Sequence, residues 1–379
     1  EKITGVSASL IRKAAEMIAK PKADGSRTKS SFMLEKGNYW CNSFGNTASY
    51  AALGLICGAG TRPGQVISRG GGHQRGWMGA AGYPRGLSPE KMPGRRKKEI
   101  DLDRWTVDGN LRFAWVIGTT WFQAMAGSQN IMDAVRNMTQ KSPHQIDSFD
   151  PKAAIETLKR RMDSGGMAVV NQDIYPVAPI GTEFADIVLP AATWGEENFT
   201  RCNGERRLRL YSKIADAPGD AMPDWKIIAG FAKKMGFKGY NWKDSNEIFE
   251  EAARFGRKSV RNYHPLVVKA KRDGVRAHDL LKSYGTQGIQ TPIRMVGGKL
   301  VGTARLHDET LELGPPEGPT MHRKWLTKFN TQVGKAVLLK SPWEDFQDFY
   351  ERVTPEGDEL WVTNGRINEI WQSAFDDMR

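Results

Sequence analysis

The stretch Arg112-Phe113-Ala114-Trp115-Val116-Ile117-Gly118-Thr119-Thr120 decides how this chain is organised. After its arginine it is a continuous apolar strand, of the kind buried on both faces in a parallel sheet, and it runs directly into the polar turn Gly118-Thr119-Thr120. Ser128 to Thr139 and Pro151 to Met162 then read as helices. A second buried strand follows, Met167-Ala168-Val169-Val170, ending in Asn171-Gln172-Asp173, and a third, Ile187-Val188-Leu189-Pro190. Alternating strands and helices predict an α/β fold with mainly parallel sheets and flanking helices. Ligands of such sheets lie beyond the carboxyl ends of the strands, which directs attention to the two polar triplets.

Outward from this centre, Val6 to Ala19 reads as an amphipathic helix with Ile11, Ala15 and Ile18 on one face. Ser31 to Leu34 is a short strand candidate, and Ala48 to Cys57 a small-residue helix ended by Gly58 and Gly60. Then comes Ser68-Arg69-Gly70-Gly71-Gly72-His73-Gln74-Arg75-Gly76-Trp77. Three consecutive glycines disfavour a helix interior. They allow the backbone to approach an anion or a phosphate-bearing cofactor closely, with N–H groups free to donate. A surface loop with merely solvated charges is the alternative. A long polar excursion follows, to Gly109. Downstream, Asp224 to Met235 and Ser245 to Phe255 read as helices. Arg257 to about Pro319 is basic and turn-rich and reads as an extended connector with one short helix near Val275 to Ser283. A last strand, Glu359 to Thr363, leads into Asn364-Gly365-Arg366. The expected division is an α/β segment with the glycine-rich loop (1–110), a dinucleotide-binding α/β domain (111–256), the connector (257–355) and the start of a cap domain (356–379).

A chain of 379 residues suits two or three domains, and 39% hydrophobic residues support a folded core. No window approaches the roughly 18 apolar residues of a membrane span. Glu1-Lys2-Ile3-Thr4 has no initiator methionine or signal-peptide layout, so the sequence reads as an internal piece of a longer protein. The net charge of +12 favours anionic partners in general. Part of it sits in Arg85 to Lys98 and part in Arg254 to Arg276, but no nucleic-acid-binding motif accompanies either run. Cys41, Cys57 and Cys202 form no CxxC pair, so neither a structural zinc site nor an iron–sulfur cluster is encoded here, and buried thiols are expected.

Residues 171–226 carry the most specific pattern. Gln172-Asp173 follows a strand; then come Ala185-Asp186-Ile187-Val188-Leu189-Pro190, Asn203-Gly204-Glu205-Arg206-Arg207, Pro218-Gly219 and Pro223-Asp224-Trp225. This ordered series resembles the dimethyl sulfoxide reductase superfamily of molybdenum enzymes. The likeness continues through Gly334-Lys335-Ala336 and Asn364-Gly365-Arg366 and so covers nearly the whole chain. Within the superfamily, Glu35-Lys36-Gly37, Arg69 with Gly71-Gly72-His73-Gln74, and Gly365-Arg366-Ile367-Asn368-Glu369-Ile370-Trp371-Gln372 resemble the arsenite oxidase large subunit and its relative iodate reductase. Gly118 to Gln123 lacks the paired asparagines of arsenite oxidases, Arg75 stands where they carry glutamate, and Trp77 to Lys98 differs. The expected activity is oxygen-atom transfer of the arsenite oxidase kind, and these departures raise iodate or another oxyanion as the alternative substrate.

The resemblance implies two molybdopterin guanine dinucleotides with molybdenum, oxygen-atom transfer to or from a small oxyanion, and an iron–sulfur cluster whose ligands lie upstream. It also implies a Rieske-type small subunit, a cytochrome c-type or other redox partner, and a periplasmic location. Arg69 and His73 would line the oxyanion pocket. Asp173 and Asp224 match positions that contact the dinucleotide, with Gln172 beside them; a carboxylate can take both N–H donors of a guanine edge. The alternatives are an Asx turn for Asp173 and a helix N-cap for Asp224. Gly118 and Thr120 match the loop holding the other end of a nucleotide, where amides and hydroxyls can donate to pyrophosphate. Lys36 and Trp40 match a pterin-side segment, or are a surface charge and a core aromatic. Asn364, Gly365, Arg366, Trp371 and Ser373 match the start of the cap domain, where the chain touches a pterin; a type I′ hairpin is the alternative for Asn364-Gly365. A different class, a non-enzymatic basic α/β protein that binds polyanions, uses the charge but leaves the ordered motifs unexplained.

Overall fold

β4 (Ala168–Asp173) is buried along its whole length and is the central strand of a three-stranded sheet. β3 (Phe113–Ile117) and β5 (Ile187–Pro190) pair with it in parallel on either side. The computed structural model describes residues 1–2, 4–34, 44–59, 67–69, 102–124, 127–176, 178–202, 206–257, 260–306, 328–329, 331–339, 347–348 and 351–362. The polar triplet Asn171-Gln172-Asp173 belongs to the strand rather than following it. Register carries Asn171 against Val116 and Val188, Gln172 against Ile117 and Leu189, and Asp173 against Pro190. β3 departs from the two-face burial expected of it: Ala114 and Val116, on one face, are buried, whereas Phe113 and Ile117, on the other, are exposed.

One face of the sheet meets α4 (Ser128–Thr139), as the sequence predicts. Ile131, Val135 and Met138, at helical spacing, pack with Val116, Val169, Phe122 and Phe184. α5 (Pro151–Asp163) starts where the Asp150 side chain accepts from Ala153 N and proline occupies the first turn. Its Arg161 is buried; Nη1 meets Asp186 Oδ1 at 2.6 Å, and Asp186 Oδ2 accepts from Val169 N at 2.9 Å. The motif residue Asp186 is therefore a structural tie to β4. α6 (Asp224–Lys234) lays Phe231 edge-on against Trp115 of β3, ring centroids 4.9 Å apart. A parallel bridge between Ala191 and Met222 extends the strand order just before that helix.

The chain divides into two compact units that are not consecutive stretches. One comprises Pro84–Phe199, Tyr211–Lys243 and Val362–Arg379; the other comprises Glu1–Tyr83, Thr200–Leu210 and Asp244–Trp361. These boundaries run differently from the expected segment ends at 110, 256 and 355. In the second unit, α1 (Ala8–Ala19), capped by Ser7, buries none of its residues. α2 (Phe44–Ile56) follows β1 (Phe32–Leu34), which pairs in parallel with β2 (Ile67–Arg69). In the first unit, α3 (Leu102–Val107) interrupts the expected polar excursion.

The expected extended connector is corrected over residues 260–306. These residues form α8 (His264–Arg272), α9 (Ala277–Lys282), β8 (Ile289–Gln290) and the hairpin of β9 (Arg294–Val296) and β10 (Lys299–Val301). With α7 (Ser245–Ala252), β6 (Phe199–Cys202) and β7 (Arg207–Tyr211) they build a second core of Leu208, Phe249, Tyr263, Leu266, Leu281 and Ile293, among others. Cys57 and Cys202 are buried thiols, as expected; Cys41 lies outside the described residues. Glu359 to Val362 take no strand conformation: Leu360 and Val362 are almost fully exposed, and among the described residues no strand pairs with them.

Candidate cofactor-binding site

Strand period places Asn171 and Asp173 on one face of β4 and Gln172 on the other, toward α6. Gln172 is fully buried, and its Nε2 donates to Asp224 Oδ1 at 2.6 Å. The backbone explains how residues 52 apart in sequence meet. Ala191 N donates to Asp173 O at 2.9 Å, Met222 N to Pro190 O at 3.2 Å, and Ala192 N to Met222 O at 2.9 Å, so the entry into α6 is laced to the ends of β4 and β5. Asp224 is not the helix cap. Pro223 holds that position without a side-chain bond, and the Asp224 carboxylate is engaged by Gln172.

Asp173 has two oxygens in different states. Oδ1 accepts from Ile174 N at 2.8 Å, a local turn contact, while Oδ2 is buried without a hydrogen-bond partner. Burial holds this carboxyl above the usual carboxylate range; the Ile174 N–H opposes that and the Asp224 charge adds to it. Gln172 Oε1, both side-chain polar atoms of Asn171, and Trp225 Nε1 are likewise buried and unpartnered. A native structure seldom leaves so many buried polar atoms unmade in one place, since each costs about 1–3 kcal/mol. Those of Gln172 and Asp173 lie at the carboxyl end of a central parallel strand, the place where ligands of such sheets sit. Asn171 and Trp225 lie in the motifs read from sequence but were given no binding role there; their proximity to Gln172-Asp173 and Asp224 was the available signal.

At the neighbouring strand end, Gly118 has φ +59°, and a Cβ there would meet nothing within 4 Å. Its N–H donates to Gln172 O at 3.0 Å, so the Gly118 amide is committed to the sheet and is not free for a phosphate. Thr120 is buried and Thr119 Oγ1 accepts from Trp121 N at 3.4 Å. Gly118 thus offers close approach rather than a donor.

Arg69 is the last residue of β2, in register with Leu34, the last of β1. The segments bearing Lys36 and Trp40 on one side and His73 on the other therefore leave from the same carboxyl end of a parallel pair. Lys36, Trp40 and His73 themselves lie outside the described residues, as do Asn364, Gly365, Arg366, Trp371 and Ser373. Among the described residues, no group of three or more His, Cys, Asp or Glu is arranged to hold a metal ion. No described helix is long and apolar enough to cross a membrane.

Residues 156–234, which contain Gln172, Asp173 and Asp224, match the molybdopterin oxidoreductase family. The chain carries a molybdopterin oxidoreductase domain. Over its whole length it is 64% identical to the iodate reductase subunit IdrA of Denitromonas iodatirespirans and 62% identical to that of Pseudomonas sp. strain SCT, covering 43% of each. Over 99% of the chain it is 31% identical to the arsenite oxidase subunit AioA of Herminiimonas arsenicoxydans, covering 44% of it. The chain thus spans less than half the length of these relatives. A molybdopterin oxidoreductase takes a molybdenum–pterin cofactor, and the unpartnered acceptors Gln172 Oε1 and Asp173 Oδ2 at the end of β4 fit a group that brings N–H donors.

Proposed function

We propose that this chain belongs to a molybdenum-dependent oxidoreductase that reduces iodate. The carrying observation is the contrast between 64% and 62% identity to two iodate reductase subunits and 31% to an arsenite oxidase, across essentially the same residues. Arg75 and the divergent Trp77 to Lys98 stretch agree with it.

The cofactor would be the bis-guanine-dinucleotide form. Asp173, Asp224 and Gln172 would hold one base by accepting from its N–H groups, with Trp225 Nε1 as the donor beside them. Gly118 would let the nucleotide approach the sheet, and Thr120 belongs to the same loop. Lys36, Trp40, Asn364, Gly365, Arg366, Trp371 and Ser373 would lie along the pterins. Arg69 and His73 would bind the oxyanion and compensate its charge; a planar guanidinium suits a trigonal or pyramidal oxyanion better than a single ammonium does. The bound molybdenum supplies two-electron oxygen-atom transfer. Electrons would come from a Rieske-type small subunit carrying its own cluster, fed by a cytochrome c-type donor in the periplasm, with a further iron–sulfur cluster in the catalytic subunit.

The test uses the full-length protein purified with its small subunit. Iodate should re-oxidise a reduced dye catalytically, and the preparation should contain molybdenum and guanine nucleotide. Arsenite oxidation without iodate reduction would overturn the substrate assignment, and a metal-free, active preparation would overturn the chemistry.

A further inference from the structure

Gly256 sits where the chain folds back beyond α7: a Cβ on it would stand 3.2 Å from Arg261 O. The return brings Arg257 to His264, the first residue of α8, with Nη2 of the guanidinium 2.8 Å from Nε2 of the ring. A guanidinium can only donate, so Nε2 accepts, the imidazole is neutral and its proton is on Nδ1. Arg257 Nε lies on the same edge of the planar group as Nη2, and it is buried without a hydrogen-bond partner. That edge is the fork with which arginine takes two oxygens of one anion. Here one prong meets a single imidazole nitrogen and the other meets nothing. A structural arginine–histidine contact accounts for Nη2 and leaves the buried Nε unexplained.

We propose that the Arg257 edge and His264 form a proton-gated site for a small tetrahedral oxyanion of the sulfate or phosphate class. While the ring is neutral, Nε2 stands where one oxygen of the anion would lie. A proton taken up from solvent removes that acceptor, sets two cations face to face and drives the ring off the guanidinium. The anion then accepts from both N–H groups of the fork and from the imidazolium. Because Nε is buried, the site admits a free ion rather than a group carried on a larger molecule. Burial, then Arg257, then Lys271 already hold the His264 imidazole below its usual range, and among the described residues no carboxylate adds to the charge acting on it. The nearby carboxylates are engaged elsewhere. On α7, Glu250 is 3.4 Å from Lys271 and Glu251 is 3.6 Å from Arg254. Asp273, which ends α8, is taken by Lys269 and Arg272. α9 and β10 both pack on α8; Asp279 of α9 acts on His278, and β10 brings Lys299, a further cation.

The experiment titrates sulfate, which keeps one charge state near neutrality, into the full-length protein with its small subunit at constant ionic strength. Calorimetry in buffers of different ionisation enthalpy counts the protons taken up on binding. The parent should bind sulfate with uptake of up to about one proton, and its affinity should fall roughly tenfold between about pH 6 and about pH 8. His264→Gln should bind with no proton uptake and a flat pH profile, because its amide does not titrate. Arg257→Lys, which keeps the charge and gives up the fork, should melt near the parent and lose most of the affinity. Arg69→Ala should retain the proton-coupled binding, which separates it from capture in the oxyanion pocket proposed above. Ethyl sulfate should bind more weakly than sulfate. The site is overturned by any of four results: no sulfate binding in the millimolar range, proton uptake that persists in His264→Gln, parent-like affinity in Arg257→Lys, or loss of the proton-coupled binding in Arg69→Ala. Equal binding of ethyl sulfate would overturn the free ion as its ligand.

Discussion

Arg69 closes β2 in register with Leu34, at the carboxyl end of a parallel pair. The three glycines behind it separate it from His73 without supplying side chains of their own. If this end of the pair meets the oxyanion, Arg69→Ala should raise KM for iodate at least about tenfold, since charge-assisted hydrogen bonds are worth roughly twice neutral ones. Molybdenum and nucleotide contents should stay at parent levels. Arg69→Lys should recover only part of the loss, because it keeps the charge and gives up the planar fork. Steady-state kinetics with metal analysis of both variants decide the matter; parent-like kcat/KM in Arg69→Ala would return the arginine to a solvated loop. Contrast Arg161, a cation beside the motif carboxylate Asp186. Its guanidinium donates to His144 O, Met167 O and Asp186 and is 2% exposed, so its donors are spent inside the fold.

At the scale of elements, β7 and β8 approach so closely that only glycine can stand between them. Gly288 has φ +57°, and a Cβ on it would collide with the Leu208 carbonyl. Gly288→Ala should therefore destabilise the protein by at least about 1–3 kcal/mol, from the left-handed backbone and the forced separation of the strands together. Denaturant unfolding should show a lower midpoint with an unchanged slope, and an unchanged midpoint would mean that the β7–β8 pair yields freely. This pairing was invisible in the sequence, although the helices α7 and α9 beside it were expected. α8 carries Leu266, Val267 and Ala270 on its buried side, but Lys269, Lys271 and Arg272 in its last turn make the stretch read as a basic connector. By contrast, Ser128–Thr139 was legible residue for residue because its apolar positions keep helical spacing. β4 was legible only as far as Val170. Asn171, Gln172 and Asp173 extend it because the ladder and their neighbours bury them, and burial of polar residues leaves no periodic signature. For the same reason Gln172, Asp173 and Asp224 could be found through their motifs, whereas the unpartnered atoms of Asn171 and Trp225 needed coordinates.

At the scale of the whole molecule, the two hydrophobic cores share no residue. One gathers Val116, Val135, Val169 and Phe184 around β3–β5; the other gathers Leu208, Phe249, Leu266 and Leu281 around α7–α9. His278 belongs to the second environment. Its ring lies 5.1 Å from that of Phe249, its backbone N–H donates to Asn246 Oδ1 at 2.9 Å, and Asp244, the cap of α7, holds Arg276 nearby. Burial pushes the His278 imidazole down to about 4, helped by Arg276 and opposed by Asp244, Asp279 and Glu250. Because the folded-state value lies below the unfolded one, the unfolded chain binds more protons between them. The stabilisation from keeping this ring neutral is therefore complete above about pH 6.5 and is lost as pH falls toward 4. The amount is of order 3–4 kcal/mol, from about 1.4 kcal/mol for each pH unit between the two values. His278→Gln should flatten that dependence, whatever it does to stability at neutral pH. Hydrogen exchange read by segment localises the effect. On acidification the parent should lose protection in α7–α9 and β7–β8 more steeply than the variant does, while the difference between parent and variant in β3–β5 stays constant with pH. Equal, pH-dependent differences in both sets of elements would show that the two cores open as one cooperative body, and identical acid profiles for parent and variant would remove His278 as the source of the acid sensitivity.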